Sequence, residues 1–251
     1  MKSLEVLFTP ADFAALKNRK LDDTHCVVFD VFRATSSMVT ALANGAEAII
    51  PVSEIPEALA IKQKSPGVLL AGERDGVRIR AALTGGTDFD LGNSPREFTK
   101  DTVAGKTMVM TTTNGTRALR SCAHAKTVLI GSFLNLKATS ESILAASPEN
   151  LLLICSGTYE QTAYEDALGA GALCDLLRNK MEQSLVSDSA KMAHELYTIA
   201  SKNISAAAAT SRNGARLSGI PELRDDVRFC LQRDIFNFPA AMQKDGKIKK
   251  I

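Results

Sequence analysis

Short apolar runs and stretches with helical spacing alternate along this chain. The apolar runs are too short for helices and rich in β-branched residues, so they predict strands. Seven strands are predicted, over residues 4–8, 27–31, 48–52, 68–71, 108–110, 128–130 and 151–155. Helical spacing over residues 35–43 places Met38, Val39 and Leu42 on one face. Strands alternating with helices are typical of α/β proteins and predict a layered α/β/α fold with a largely parallel or mixed sheet.

The second half of the chain, from Glu165 onward, has mostly helical spacing. Three apolar faces in it are expected to cover the sheet and to form a dimer surface. They consist of Leu168, Leu173 and Leu177, of Met192, Leu196 and Ile199, and of Leu223, Val227, Cys230 and Leu231. Residues 75–99 are rich in Gly, Asp, Asn and Pro without periodicity, which predicts a long loop near the active site. The Lys-rich residues 244–250 are predicted to be a solvated tail.

A weak internal repeat links two predicted strand-to-helix turns. Residues 27–35 align with residues 108–116, so that Arg33 matches Asn114 and Thr35 matches Thr116. Repeated βα units produce such a pattern with or without gene duplication, and both origins stay open. The repeat predicts two similar βα halves, whose polar turns meet at the carboxyl ends of the strands, where open α/β sheets bind ligands.

Composition narrows the class of protein. The 251 residues, 45% of them hydrophobic, fit one α/β domain over residues 1–251, with two lobes as a variant. The formal charge of +2 is spread along the chain and gives no footprint for nucleic acid. The scattered cysteines predict neither a zinc site nor disulfides, and the histidines lack ligand spacing. Without a signal-peptide pattern or an apolar run near about 18 residues, a cytoplasmic protein without membrane contact is expected.

The first candidate site follows the apolar run that ends at Phe29. Asp30, Arg33 and Thr35 lie in a predicted strand-to-helix turn. A carboxylate beside buried apolar residues is costly unless it is paired or functional, and a guanidinium can hold two oxygens of a phosphate or sulfonate. Because Asp30 alone repels a phosphate, the turn predicts a divalent cation between the two. A capping Asp and a surface Arg are the structural alternative.

Two further segments add polar candidates. Glu73 also follows a predicted strand, and a salt bridge with Arg74 is its alternative role. Asn93 and Ser94 offer hydrogen-bond donors after Gly92, although an ordinary turn has the same composition.

A Thr-rich turn and a helix start complete the candidates. Asn114, Gly115 and Thr116 fit an anion-binding nest. Glu165 and Asp166 open a helix, where one of them can act as a cap, and the other, with a preference for Asp166, is expected in the metal site. The sequence contains no Gly-x-Ser-x-Gly elbow, P-loop or dinucleotide fingerprint, which disfavours serine hydrolases and nucleotide-binding enzymes.

Six blocks, in order along the chain, closely resemble the 2-phosphosulfolactate phosphatase family. They are DVFRATSSMVTALANGA from Asp30, GER from Gly72, FDLGNSP from Phe89, TTTNGTRAL from Thr111, GSFLN from Gly131 and EDALGAGAL from Glu165. The resemblance implies an α/β, magnesium-dependent phosphatase. Such an enzyme hydrolyses 2-phosphosulfolactate, or a similar phosphorylated hydroxy acid, to sulfolactate and phosphate, a step of coenzyme M biosynthesis. Residues 80–85 look particular to this chain, so the resemblance defines the reaction class more firmly than the substrate.

By block, the resemblance implies roles for individual residues. Asp30, Glu73 and Asp166 are implied as Mg²⁺ ligands and, together with Arg33, as the catalytic set. The implied binding residues for the phosphate or sulfonate are Arg33, Thr35, Asn93, Asn114 and Thr116, with Ser94 and Gly115 in the same turns.

Two mechanisms are compatible with the first block. It is similar to haloacid dehalogenase phosphatases, in which the strand-end Asp attacks phosphorus and a second Asp two positions later is the general acid. Here Phe32 occupies that second position, so a magnesium-bound water is the expected nucleophile, with Asp30 as the covalent alternative. Two other functions also remain open: a non-catalytic anion-binding protein on this scaffold, and a metal-dependent lyase acting on a phosphorylated acid.

Overall fold

The computed structural model describes residues 1–180 and 185–251. Its strands form one mixed sheet in the order β1-β8-β2-β7-β9-β10-β3-β6-β4-β5. The strands are β1 (Ser3–Leu7), β2 (Thr24–Phe29), β3 (Ala48–Pro51), β4 (Leu69–Arg74), β5 (Val77–Arg78), β6 (Thr107–Thr111), β7 (Thr127–Gly131), β8 (Asn150–Cys155), β9 (Ala240–Met242) and β10 (Ile248–Lys250). All seven strands predicted from the apolar runs are present, and the layered α/β prediction is confirmed.

The sheet consists of two parallel blocks joined by an antiparallel hairpin. In the first block β1, β8, β2 and β7 are parallel, and in the second block β3, β6 and β4 are parallel. The hairpin of β9 and β10 lies between them, antiparallel to β7 on one side and to β3 on the other. The two blocks therefore belong to one continuous sheet only through residues 240–250.

Helices cover both faces of the sheet. They are α1 (Pro10–Ala14), α2 (Ala34–Ala43), α3 (Ile55–Lys64), α4 (Ala81–Thr84), α5 (Lys100–Val103), α6 (Gly115–Ser121), α7 (Leu136–Ala146), α8 (Tyr164–Leu177), α9 (Asp188–Ala200), α10 (Ile204–Ala209), α11 (Arg212–Ser218) and α12 (Arg224–Cys230). None of the helices in the described ranges combines the length and the apolar character needed to cross a bilayer.

The core consists of three hydrophobic clusters, because the side chains of each strand alternate between the two faces of the sheet. One cluster lies between the two blocks, where Val28 of β2 and Met108 of β6 pack with Met38 of α2 and Leu119 of α6. A second cluster joins the other face of the first block to α7, α8 and α9, and a third joins the other face of the second block to α3. The sheet therefore bends around α2 and α6, so the ends of β2 and β6 lie together.

The internal repeat predicted from the sequence is visible in the sheet order. The chain runs β2–α2–β3–α3–β4 and later β6–α6–β7–α7–β8, and β2 and β6 each lie between two parallel neighbours. Each half exchanges one strand, because β3 lies beside β6 and β7 lies beside β2. The two similar βα halves are thus interleaved, and each completes the sheet of the other.

Two predictions about irregular segments are wrong. Residues 75–99 are not one loop, because they contain β5, α4 and a 3₁₀ turn at Pro95–Glu97. The Lys-rich residues 244–250 are not a free tail, because Lys249 and Lys250 lie in β10 beside the fully buried Ile248. Short strands built on Ala or on one apolar residue carry too little apolar signal to be recognised.

The predicted helical faces differ in burial. Leu168, Leu173 and Leu177 are fully buried, as expected for a helix that covers the sheet. On α9, however, Met192 is 63% and Ile199 74% exposed. The predicted dimer surface on these helices stays a prediction.

Candidate functional site

A polar cleft opens where strands of both blocks end. Its free space, including the part that is open to solvent, is about 490 Å³, and it is lined by Asp30 after β2, Glu73 in β4, Thr113 and Asn114 after β6, and Gly157 after β8. Helix α11 borders the cleft from the other side. Ligands of open α/β sheets bind at the carboxyl ends of strands, and here four strand ends from the two halves contribute to one cleft.

The turn after β2 is held in shape by its own threonine. The Oγ1 of Thr35 donates to the carbonyl of Asp30 at 2.9 Å and accepts from the N–H of Asp30 at 3.1 Å. The carboxylate of Asp30 accepts from the N–H of Ala34 at 3.1 Å. Thr35 is fully buried and lies outside the cleft wall. In this structure the hydroxyl of Thr35 is used to fix Asp30, and substrate binding by Thr35 stays a prediction.

The turn after β6 uses the same device. The Oγ1 of Thr116 bonds both the N–H and the carbonyl of Thr112, at 3.2 Å each. Thr116 is also fully buried, and its role in substrate binding stays a prediction. Gly115 is needed in this turn because a Cβ there would lie 2.5 Å from Oδ2 of Asp30. The repeat thus pairs Thr35 and Thr116 in function, and that function is to shape the turn.

Glu73 ties the two halves together at the base of the cleft. Its Oε2 accepts from the N–H of Gly76 at 2.6 Å, and its Oε1 accepts from the N–H of Thr113 at 2.7 Å. The strand end approaches β6 closely, because a Cβ on Gly72 would lie 2.0 Å from the carbonyl of Thr111. Arg74 contacts the carbonyl of Glu73 rather than its carboxylate, so the alternative of a Glu73–Arg74 salt bridge is not what forms.

Unpaired oxygens face the same cleft. In the part of the chain that the structure describes, four buried side-chain oxygens have no hydrogen-bond partner. Three of them belong to cleft-lining residues: Oδ1 of Asn93, Oγ1 of Thr113 and Oδ1 of Asn114. The fourth, Oγ1 of Thr139, lies in α7. Buried polar atoms are nearly always paired, so three exceptions in one cleft indicate that a bound group supplies their partners.

These oxygens favour a cation or a donor group over an anion. The amide nitrogen of Asn114 donates to the carbonyl of Gly157 at 3.0 Å, which leaves the acceptor oxygen of the amide without a partner. Asn114 was predicted to bind the phosphate or sulfonate; its unpaired oxygen disfavours an anion, while the second N–H of the amide can still donate to one. Asn93 lies in the cleft as predicted.

Arg33 lines the cleft, but its terminal nitrogens are engaged within the protein. Nη1 forms a salt bridge of 2.8 Å with Asp226, and Nη2 donates to the carbonyl of Gly76 at 2.7 Å. Both partners of the salt bridge are buried. Ser94, another predicted substrate-binding residue, donates to the same Asp226 at 2.7 Å and lies outside the cleft wall, and its role in substrate binding stays a prediction.

Asp226 comes from α12 and was missed in the sequence. It is fully buried and also accepts from Nε of Arg96 at 2.9 Å. One signal for it exists: Asp226 stands three residues after Leu223 and four before Cys230, on the predicted apolar face. A carboxylate at that spacing requires a buried cation as its partner.

Asp166 lies behind the cleft rather than in its wall. Its two oxygens accept from the N–H of Val31 at 2.8 Å, the hydroxyl of Ser156 at 3.0 Å and the N–H of Gly157 at 3.2 Å. Asp166 therefore joins the turns after β2 and β8, and its role as a metal ligand stays a prediction. Neighbouring Glu165 accepts from Asn213 at 2.6 Å.

The buried carboxylates raise one another's pKa values. Burial, opposed by the N–H of Ala34 and assisted by the charges of Glu73 and Glu165, raises the pKa of Asp30 to about 6. Burial and then the charges of Asp30 and Glu165 raise the pKa of Asp166 well above its usual range. Burial likewise raises the pKa of Glu165, against the hydrogen bond from Asn213. For Asp30 and Asp166 the charges of neighbouring carboxylates add to the effect of burial, and a nearby cation would oppose both effects.

The three predicted metal ligands do not form one site. Within residues 1–180 and 185–251, no three His, Cys, Asp or Glu side chains are placed to hold a metal ion. The remaining set still fits Mg²⁺, which binds through one or two carboxylates and keeps other positions for water and phosphate. Asp30 and Glu73 supply the carboxylates, and the three unpaired oxygens supply neutral groups of the kind that this ion accepts.

Comparisons with known proteins agree with the resemblance seen in the sequence. A family model described as 2-phosphosulpholactate phosphatase matches residues 12–245. A protein of Caldanaerobacter subterraneus subsp. tengcongensis, named "Probable 2-phosphosulfolactate phosphatase", is 36% identical over 247 residues, which is 97% of each chain. Proteins with the same name from Caldicellulosiruptor saccharolyticus and Carboxydothermus hydrogenoformans are 40% identical over 195 residues (76% of this chain, 78% of the relative) and 37% identical over 246 residues (98% and 95%).

Proposed function

The chain belongs to the 2-phosphosulfolactate phosphatase family, and we propose that it is a Mg²⁺-dependent phosphatase that hydrolyses 2-phosphosulfolactate or a similar phosphorylated hydroxy acid. The reaction transfers the phosphoryl group to water and releases phosphate and the free hydroxy acid. We further propose that it acts in the cytoplasm.

One observation carries the proposal: two carboxylates and three unpaired oxygens line the same cleft. Asp30 and Glu73 provide the negative charge. The oxygens of Asn93, Thr113 and Asn114 provide acceptors with nothing to accept. A phosphate alone would be repelled by the two carboxylates and disfavoured by the two amide oxygens, whereas a hard divalent cation with a phosphate attached satisfies all five groups, since the Thr113 hydroxyl can also donate to the phosphate.

The residues of the chain would divide the work as follows. Asp30 and Glu73 would hold Mg²⁺, which supplies a Lewis acid for the phosphoryl oxygens. Arg33 would position Glu73 rather than bind the substrate. It donates to the carbonyl of Gly76, and the N–H of Gly76 in turn donates to Glu73. Phe32 lies in the cleft wall, where it excludes water without carrying a proton.

The choice of nucleophile can be decided by stereochemistry. We favour direct in-line attack by water, because Phe32 cannot serve as the general acid that an aspartyl phosphate at Asp30 would require. One displacement inverts the configuration at phosphorus, whereas two retain it. Hydrolysis of a chiral-phosphate substrate in labelled water should give inversion. Retention, or borohydride trapping of a modified Asp30, would contradict water attack and leave the phosphatase assignment intact.

A phosphate-release assay tests the function itself. The protein is incubated with 2-phosphosulfolactate and other phosphorylated hydroxy acids, with Mg²⁺ or with EDTA. We expect phosphate release that needs Mg²⁺ and is lost in Asp30→Asn, which keeps the shape of the side chain but not its charge. Glu149→Gln is the matched control, because Glu149 is an exposed carboxylate far from the cleft wall that pairs with Lys2. Full activity of the enzyme after verified removal of metal would refute the proposed Mg²⁺ site.

The same assay separates the two other functions left open by the sequence. Binding of substrate without phosphate release would indicate an anion-binding protein on this scaffold. Carbon–carbon cleavage products would indicate a lyase. Either result would overturn the phosphatase proposal.

A further inference from the structure

Only two guanidinium groups line the cleft among the residues that the structure describes, and they are in different states. Arg33 is buried and neutralised by Asp226. Arg216, on α11, is exposed at the cleft wall, and within residues 1–180 and 185–251 its side chain has no hydrogen bond and no carboxylate within salt-bridge distance. The second guanidinium therefore faces the cleft without an ion-pair partner among the described residues, although the exposed carboxylate of Asp75 lines the same cleft.

The backbone makes room for Arg216. A Cβ on Gly76 would lie 2.7 Å from Nη2 and 3.2 Å from Cζ of Arg216, so the guanidinium rests directly over this glycine. Gly76 also has a φ of +77°, a conformation that other residues adopt only with strain. The same glycine donates to Glu73 and accepts from Arg33. Arg216 is thus held next to the group that organises the cleft.

The charged groups that line the cleft differ in exposure. The inner wall carries the buried Glu73 and the half-buried Asp30, where a cation and a phosphoryl group fit, whereas Asp75 and Arg216 are exposed. Arg216 stands at the border formed by α11, beside Leu217. A substrate whose phosphoryl group lies inside would place any second acidic group near Arg216. Guanidinium groups bind carboxylates and sulfonates through two parallel hydrogen bonds.

We propose that Arg216 is the specificity residue of this enzyme and binds the acid group that the substrate carries besides its phosphate. The proposal rests on the proposed phosphatase function and deepens it. It explains how a cleft that is otherwise rich in acceptors accommodates a substrate with several negative charges. Arg216 contributes to binding through the non-reacting part of the substrate and leaves the phosphoryl chemistry to the inner wall.

The test compares substrates with and without a further acid group. 2-Phospholactate and 2-phosphosulfolactate carry such a group, and isopropyl phosphate does not. In 2-phospholactate, a carboxylate occupies the place of one methyl group of isopropyl phosphate. With Arg216→Gln we expect KM for 2-phospholactate and for 2-phosphosulfolactate to rise about ten- to a hundredfold, the loss typical of a charge-assisted pair. We expect kcat/KM for isopropyl phosphate to change less than about twofold. Arg216→Lys should recover only part of the loss.

A matched control and a second readout complete the design. Arg212→Gln removes an exposed guanidinium from the same helix, one that hydrogen-bonds Gln161 outside the cleft wall, and should leave both substrates unaffected. Calorimetry should show weaker binding of sulfolactate, the product, to Arg216→Gln than to the wild type. This readout needs no turnover.

The outcomes are distinguishable. If the wild type hydrolyses none of the phosphate esters, the proposed function fails. If the wild type is active and Arg216→Gln matches its kcat/KM on the acidic substrates, or loses kcat/KM equally on them and on isopropyl phosphate, the assignment of Arg216 fails. The phosphatase function would remain.

Discussion

Replacing Thr113 by valine should make the protein more stable and less active. The Oγ1 of Thr113 is buried in the cleft without a hydrogen-bond partner, so the folded protein bears the cost of removing that hydroxyl from water. Valine has nearly the same shape and brings a methyl group instead. We therefore expect opposite effects on the free energy of unfolding and on catalysis.

The magnitudes follow from the two states of the hydroxyl. A buried hydroxyl without a partner costs about 1–3 kcal/mol, so Thr113→Val should gain about 1–2 kcal/mol. For a chain of this size that gain raises Tm by about 2–8 °C. If the hydroxyl binds the charged complex of metal and substrate, its loss should lower kcat/KM about ten- to a hundredfold.

Thr139→Val is the matched control. Thr139 is the other threonine with a buried, unpaired Oγ1, and it lies in α7 away from the cleft. It should gain similar stability without a change in kcat/KM. Urea denaturation and phosphate release measure the two effects. The reasoning is refuted if Thr113→Val is destabilised or keeps wild-type activity, or if Thr139→Val loses activity as Thr113→Val does.

Two further predictions concern buried charge. Asp226→Ala leaves the guanidinium of Arg33 buried without an anion and should lower the free energy of unfolding, measured by urea denaturation, by about 3–5 kcal/mol. The control, Asp225→Ala at an exposed residue, should lower it by less than about 0.5 kcal/mol. Equal losses would contradict the role of the Arg33–Asp226 pair. Folding raises the pKa of Asp30 from 3.8 to about 6, so its protonated form stabilises the fold at low pH and this stability is lost as pH rises through 6. In metal-free protein, the stability of the wild type should therefore fall relative to that of Asp30→Asn by about 2–3 kcal/mol between about pH 4 and pH 7, and a difference independent of pH would disprove this shift.

The sequence predicted the strands well because they are buried. Apolar runs such as the one that ends at Phe29 carry a strong local signal, and the carboxyl ends of those strands pointed to Asp30, Glu73 and Asn114. Asn93 was predicted from the composition of its turn, and all four residues line the cleft. The hairpin of β9 and β10 escaped because its strands have three residues each and are defined by pairing partners far along the chain.

The predicted site residues that lie outside the cleft wall have a physical feature in common. A hydroxyl or carboxylate at a strand end can face a ligand or bond the neighbouring backbone, and local sequence does not distinguish the two. Thr35, Thr116 and Asp166 all bond backbone groups. The partner of Arg33 could not be inferred locally either, since Asp226 lies 193 residues further along the chain.

The interleaving of the two halves affects how this protein folds during its synthesis on the ribosome. Strand β2 pairs with β7 and β8, so that His25 meets Thr127 and Thr24 meets Asn150. At about 5–20 residues per second, synthesis leaves β2 without these neighbours for roughly 5–25 seconds. Throughout that interval Val27 and Val28 belong to an apolar strand that is open on both edges, which is a template for aggregation. The nascent chain is therefore a natural client for chaperones, and slower synthesis in the cold should lengthen its dependence on them.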